Sequence, residues 1–252
     1  MQTRDALLEL LLRLGDDCLI LGHRVSEWCG HAPILEEDMA LPNMGLDLIG
    51  QARTLYTYAG EVEGKGRGED DLAYLRTDRE YRNLLLVERP NGDFAHTMLR
   101  QLYFAAFMEP YWRKMCASKD ETLAGIAGKA VKEMAYHIRH AGEWVIRMGD
   151  GTEESARRMA DAVDALSIYI DELFQTDDVT DTLVAAGIAP DPSGLRAEWD
   201  RTIDMVFTEA RLKLPDVSYP QTGGRSGLHG EELGHLLSEL QYMQRTYPGM
   251  KW

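Results

Sequence analysis

The residues of this chain best suited to metal chemistry are a carboxylate and an imidazole one helical turn apart, Glu133 and His137. They fall within the apolar face of a helix that the spacing predicts from about Glu121 to Gly149. The other members of that face are Leu123, Ile126, Ala130, Met134, Ala141, Trp144 and Met148. A buried carboxylate and imidazole must pair, bind a metal ion or face a partner protein. We expect Glu133 and His137 to pair with each other, and the other two interpretations stay open.

A carboxylate-bridged di-iron centre in a helical bundle needs a Glu-x-x-His motif on each of two helices. Of the seven histidines, two follow an acidic residue by three positions, His96 after Asp93 and His235 after Glu232. A chain with 42 acidic residues in 252 produces about as many by chance. Both acids also begin predicted helices, where the helix dipole favours negative charge. After Glu133 the histidine comes four residues later, so no complete motif lies at the centre of a predicted helix.

Other polar residues lie on or beside the apolar faces of the predicted long helices, with Asn43, Asp47, Gln51 and Thr54 forming a polar seam on one of them. This set offers one histidine where two are needed, and its amides and hydroxyls bind iron poorly. We therefore predict a vestigial, hydrogen-bonded core cluster with no metal, no cofactor and no catalytic residue. Its predicted members are Asp17, Asn43, Asp47, Glu109, Glu133 and His137.

The apolar spacing predicts helices through most of the chain. Thr3 is the predicted N-cap of the first, and Pro42 should kink the second. The second helix is apolar on two sides, one formed by Leu35, Met39, Leu46 and Ile49 and the other by Leu41, Leu48 and Leu55. A helix that is apolar all round is predicted to lie at the centre of a bundle. The predicted ranges are about 4–30, 34–62, 93–118, 121–149, 152–174, 178–186, 195–212 and 231–246, with short helical pieces over 70–88 and a long loop over 215–230.

No segment alternates as a strand does, so we predict an all-α fold. Two successive pairs of long helices are typical of the four-helix core of ferritin-like proteins, here with additional C-terminal helices. Nothing resembles a linker, and we expect residues 1–252 to form a single ferritin-like helical domain.

The formal net charge of −15, from 42 acidic and 27 basic side chains, disfavours nucleic acid and anionic membranes and favours a partner with a basic surface. No apolar stretch approaches the ~18 residues of a membrane span, and the N-terminus lacks the pattern of a signal peptide. We expect a cytoplasmic protein. The cysteines, Cys18, Cys29 and Cys116, have no C-x-x-C spacing and are predicted to be reduced core residues without disulfide or zinc.

Long strings of the sequence resemble the C-subunit family of the multicomponent phenylacetyl-CoA epoxidase, and the resemblance spans nearly the whole chain. They are GDDCLILGHRVSEWCGHAPILEEDMAL, GLDLIGQAR, LLLVERPNGDFAHT, KEMAYHIRHAGEW and TGGRSGLHGEELGHLLSELQYMQRTYPGMKW. The resemblance implies a ferritin-like fold and a role in aerobic phenylacetate degradation. In such complexes a sister A subunit holds the di-iron centre that epoxidises the ring, and a reductase subunit delivers electrons. The C subunit is implied to be a structural partner without a functional iron site.

The A subunits share the GHRxSEWCGH-like opening, so the resemblance alone does not separate the two types. The missing Glu-x-x-His motifs favour the C type. Two alternatives remain: a ferritin-like di-iron oxygenase or ferroxidase with a degenerate site, and a self-assembling ferritin-like protein of unrelated role. The expected partners are the A subunit and the other subunits of the complex, and the chain expressed alone could form a homodimer.

Overall fold

The computed structural model describes residues 1–250, and within them it contains eleven α-helices and no β-strand. The predicted all-α class is confirmed. The helices are α1 (Thr3–Ser26), α2 (Leu35–Glu63), α3 (Glu69–Tyr74), α4 (Leu85–Glu88), α5 (Phe94–Met115), α6 (Glu121–Gly149), α7 (Glu153–Leu166), α8 (Asp178–Ala186), α9 (Arg196–Ala210), α10 (Glu231–Leu240) and α11 (Tyr242–Thr246).

Four long helices form the bundle, with α1 packed on α2, α5 packed on α6, and α2 meeting α6. Gly22 of α1 and Gly45 of α2 let these two helices approach closely, because a Cβ at either position would lie 3.3 Å from the other's carbonyl oxygen. The shorter helices α7 and α9 cover the α5 and α6 pair, and α8 packs on α1. The bundle therefore places one face each of α1, α2, α5 and α6 around a common centre.

Several helix ends follow from local sequence. Asp93 and Asp120 accept hydrogen bonds from backbone N–H groups in the first turns of α5 and α6, and Gly187 ends α8 with a φ of +72°. Thr3 is not an N-cap, since the helix begins with it and no side chain caps that end. The predicted fifth helix ends early at Leu166 and continues as 3-10 turns, and the predicted last helix is interrupted between α10 and α11.

The second helix is continuous through Pro42, but it is not buried on all sides as predicted. Leu41, Leu48 and Leu55 have no exposed surface. The other side of α2 faces outward, with Leu35, Met39 and Leu46 exposed by 71%, 62% and 66%. The prediction was wrong for these three residues because α2 lies at the edge of the bundle, and no element within residues 1–250 covers them. Ile49, the fourth residue of that side, is half-buried beside Gly22 of α1.

The cysteines also differ from expectation in part. All three are free, but only Cys18 is buried, while Cys29 and Cys116 are exposed near the ends of α1 and α5. None of the helices in the described part of the chain is long and apolar enough to cross a membrane.

Candidate functional site

The first part of the polar centre joins α2 to α6 through Gln51 and Glu133. Gln51 Nε2 donates a hydrogen bond of 2.7 Å to Glu133 Oε2, and Lys129 Nζ lies 3.2 Å from Glu133 Oε1. Cys18 Sγ of α1 lies 3.6 Å from Gln51 Oε1 and donates to it. Burial, with the charges of Asp17 and Glu133, raises the pKa of the Cys18 thiol well above its usual value, so it stays protonated. Both oxygens of the Glu133 carboxylate thus face a donor from this chain.

The second part is centred on His137, whose side chain is completely buried. Its Nε2 lies 3.2 Å from Asp47 Oδ2, and its Nδ1 lies 3.0 Å from Gln101 Nε2 of α5. The amide nitrogen of Gln101 can only donate, so Nδ1 accepts that bond and Nε2–H donates to Asp47. Both ring nitrogens of His137 are therefore used in contacts with other helices of this chain.

A third pair lies farther along the same seam, where His140 Nε2 of α6 is 2.9 Å from Glu37 Oε2 near the start of α2. The side chains are 12% and 8% exposed. The sequence analysis did not identify this pair. The signal available was the position of His140, three residues after His137 and therefore on nearly the same face of α6.

These donors do not fit a pair of iron ions. A di-iron centre of this fold uses four carboxylates and two histidines gathered at one point. Here amides separate the ionisable groups, because Gln51 faces Glu133 and Gln101 faces His137. Within residues 1–250 no group of three or more His, Cys, Asp and Glu side chains is arranged to hold a metal ion. The first two parts of the seam instead act as hydrogen-bonded cross-links between α1, α2, α5 and α6. The third part is a close contact of Glu37 with His140 that makes no hydrogen bond.

A separate charged network lies on another side of α1. Asp16 accepts from Tyr56 and from the Arg76 guanidinium, and Asp17 accepts from Leu84 N and from Arg225 Nη2, both at 2.7 Å. Burial raises the pKa of Asp17 to about 6, against the opposing charge of Arg225. The contact of Arg225 fastens the long segment after α9 to the first helix, and the contacts of Arg76 and Leu84 fasten the segment between α3 and α4 to it.

The same segment is held by two further buried carboxylates. Glu172 accepts from the backbone N–H groups of Gly223, Gly224 and Leu85 at 2.7 to 2.9 Å. Glu88 Oε2 lies 2.8 Å from His229 Nδ1. These carboxylates therefore accept hydrogen bonds from backbone and side-chain donors that would otherwise be buried without a partner.

The imidazole of His229 donates from both nitrogens, to Glu88 through Nδ1 and to the carbonyl oxygen of Tyr81 through Nε2 at 3.0 Å. Burial by itself lowers the pKa of His229, but the hydrogen bonds to Glu88 and Tyr81 outweigh it and raise that pKa above the usual value. The charged form of His229 is thus the form that the fold prefers.

Comparison with known proteins fits this geometry. The model of the phenylacetic acid catabolic protein family matches residues 1–252. The chain belongs to this family. It is also 47% identical, over 241 residues, to the C subunit of the 1,2-phenylacetyl-CoA epoxidase of Escherichia coli, covering 96% of this chain and 97% of that protein. The resemblance predicted from the sequence is confirmed.

Two of the strings that carry the family resemblance contact each other in the fold. Glu88 belongs to LLLVERPNGDFAHT, and Arg225 and His229 belong to the string that begins TGGRSGLHG. Glu88 contacts His229, and Leu84 N and Arg225 Nη2 both donate to Asp17, which places both strings against α1. These family strings are therefore explained by packing and charge pairing inside the chain.

Of the six residues predicted for the core cluster, three lie in the seam and three do not. Asp47, Glu133 and His137 lie in it, but Glu133 and His137 bond to other helices and not to each other. Asp17 points to Arg225 because it is one residue, about 100°, around the helix from Cys18. The other two lie outside the seam, with Asn43 exposed and Glu109 half-buried and paired with Arg113.

Besides Glu37 and His140, two further seam residues were missed because their types attract little attention in a sequence. Cys18 was predicted only as a core residue, and Gln101 was not singled out. Gln101 interrupts the buried face of α5, where its neighbours Leu102, Phe104 and Ala105 are apolar. A polar residue within such a face was the available signal.

Proposed function

We propose that this chain is a structural, non-catalytic C-type subunit of a phenylacetyl-CoA epoxidase complex, and that it stabilises a catalytic di-iron A subunit. The similarity to the E. coli C subunit over almost the whole chain supports membership of such a complex. The contact that carries the non-catalytic assignment is the hydrogen bond of Gln51 to Glu133, with Lys129 on the other carboxylate oxygen. An amide and an ammonium occupy the places where a di-iron centre needs further carboxylates.

The chemistry of the seam supports the same assignment. Oxygen activation at two irons needs open coordination positions on ions held by anionic and imidazole ligands. The described seam has a protonated thiol and amides, and His137 at its centre is already bonded on both nitrogens. We therefore assign the di-iron cofactor and the epoxidation step to the A subunit, and no cofactor to this chain.

The surface charge is consistent with a protein that binds other proteins rather than coenzyme A. The phosphates of coenzyme A call for clustered cations. Most arginines here already pair with acids of the same chain, as Arg157 does with Glu154 and Asp161. Substrate binding thus belongs to the partner in this proposal, and the complex is placed in the cytoplasm.

The test is co-purification with and without the A subunit, followed by metal analysis and an epoxidase assay on phenylacetyl-CoA. We expect near-zero iron in this chain alone, stoichiometric iron in the complex, and epoxidation that requires both chains. A homodimer of the isolated chain should be displaced by the A subunit.

Iron loading of this chain without the A subunit tests the alternative function. Near-stoichiometric iron that disappears in both Glu133→Ala and His137→Ala would establish the degenerate di-iron oxygenase or ferroxidase instead. Failure of the wild-type chain to bind the A subunit, with full epoxidase activity in its absence, would reject the structural role.

A further inference from the structure

An apolar row runs along the outward side of α2. Leu35, Met39 and Leu46 are spaced by four and seven residues, so they lie on one face of the helix, and each is more than 60% exposed. The adjoining helix α6 contributes Tyr136, which is 39% exposed. Single exposed apolar side chains are common, but a row on one helix is characteristic of a surface that another protein covers.

A groove of about 320 Å³ continues this face between α2 and α6. Gly50, Gly125 and Lys129 are among the residues that line it. A Cβ added at Gly125 or Gly128 would meet no atom within 4 Å, so packing inside this chain does not require either glycine. Glycine also weakens a helix interior. Because these two residues have no side chains, they leave a depression in the surface of α6 that can accept side chains of another protein.

The middle of the outward side of α6 is basic, although the whole chain carries a net charge of −15 and the exposed acids Glu121 and Glu143 lie towards the two ends of this helix. Lys129, Lys132 and Arg139 are all exposed on it. Among residues 1–250, no acidic side chain lies within salt-bridge distance of Lys132 or Arg139. Arg139 packs over the ring of Tyr136 on the same face. A face with cations that lack an acidic partner, beside an apolar row, attracts a partner whose own apolar surface has an acidic edge.

The charge pattern favours a different protein over a second copy of this chain. In a two-fold dimer each surface meets itself, which would bring the cations of the two α6 helices towards each other. Like charges facing across an interface reduce affinity. The same cations increase the affinity for a partner with an acidic edge.

We propose that this face, hereafter the α2/α6 face and defined by Leu35, Met39, Leu46, Tyr136 and the groove at Gly125, is the docking surface for the A subunit. The A subunit would present an apolar helical surface with an acidic edge. This assignment rests on the proposed function, since it names where that partner binds.

The first experiment fills the groove without disturbing the fold. Gly125→Leu places a side chain in open space, and leucine favours the helix, so the unfolding temperature of the isolated chain should stay equal or rise. Binding to the A subunit, measured by calorimetry, should weaken at least tenfold. Gly234→Leu in α10 is the matched control, because a Cβ there also meets nothing within 4 Å.

The second experiment changes the chemistry of the face. Met39→Glu and Lys132→Glu should each weaken binding at least fivefold, and Lys132→Glu should also reduce the dependence of the association rate on salt. The controls are Met205→Glu and Arg201→Glu on α9, where Met205 is 64% exposed and Arg201 is also exposed. Both controls should bind as the wild type does.

The outcomes separate this assignment from the proposed function. If the wild-type chain does not bind the A subunit, the proposed function fails. If the wild-type chain binds, and Gly125→Leu, Met39→Glu and Lys132→Glu all bind the A subunit as tightly as their control variants do, only the assignment of the surface is wrong. A Met39→Glu variant that abolishes a homodimer but leaves binding to the A subunit intact would assign the face to a second copy and overturn the proposal.

Discussion

The side-chain amide of Gln51 donates a hydrogen bond of 2.7 Å to the carboxylate of Glu133, across the seam between α2 and α6. An amide can donate a hydrogen bond and an ionised carboxylate cannot, so the contact depends on the amide at position 51. A second carboxylate at that position would face the first at hydrogen-bonding distance. Two such carboxylates share a proton in preference to both being ionised.

The Gln51→Glu variant should therefore acquire a new pH dependence of stability. One carboxyl of the pair formed by Glu133 and the introduced glutamate would have a pKa raised above that of the unfolded chain, so the folded state binds its proton more tightly. The free energy of unfolding should fall by about 1 to 3 kcal/mol at pH 8 relative to wild type and recover towards pH 5. Urea unfolding at both pH values measures this difference. An equal loss at both would show that the two side chains do not interact.

Glu133→Ala should destabilise the chain by about 1 to 3 kcal/mol, because the buried amide of Gln51 would lose its acceptor. Glu133→Gln is the matched control, since its carbonyl oxygen can still accept from Gln51. It loses only the ion pair with Lys129, which is 73% exposed and contributes little. Chemical unfolding of the three proteins gives the comparison. Equal losses in the two variants would contradict the prediction.

The contribution of His229 to the free energy of unfolding, made where the segment after α9 is held, should depend on pH. Its folded pKa is raised by the bonds to Glu88 and Tyr81, so its contribution to stability is full below about pH 6.5 and is lost as the pH rises through the folded value. The stability difference between wild type and His229→Gln should therefore be larger at pH 6 than at pH 9. A difference that is constant, or grows with pH, would contradict the charged state assigned to His229.

Gly224→Ala should loosen the same segment by a steric mechanism. A Cβ at Gly224 would overlap the backbone carbonyl oxygen of Asn83, and overpacking of this kind costs about 1 to 3 kcal/mol. Hydrogen exchange over residues 223–245 should accelerate in this variant. Gly194→Ala is the control, because its Cβ meets nothing within 4 Å and should change stability by no more than about 0.5 kcal/mol. Unchanged exchange in Gly224→Ala would show that the backbone adapts.

The helices could be predicted from the sequence because their signals are local. The apolar spacing indicated the start of α6 at Glu121, and Asp93 as an N-cap indicated the start of α5. The outward side of α2 could not be predicted, because apolar periodicity shows which faces avoid water and not which chain covers them. Leu46 has the same residue type as Leu48, yet only Leu48 meets the bundle.

The polar centre could be predicted only in part. The position of His137 on an apolar face indicated a buried side chain, and His137 is completely buried. Its partners could not be found by spacing, since Asp47 and Gln101 come from other helices. The partner of Asp17 is 208 residues away along the chain, and nothing near Asp17 in the sequence indicates Arg225.

The pairing of Asp17 with Arg225 has a consequence for the order in which the protein matures during translation. The carboxylate leaves the ribosome in the first helix, but its guanidinium partner follows only after α9 is complete. Until then a bundle that closed around α1 would bury Asp17 without a cation, which costs free energy. We expect nascent chains released before Arg225 to remain protease-sensitive and those that include residues 223–245 to become resistant. The bundle would thus acquire its final stability late in synthesis, although its four long helices are made early.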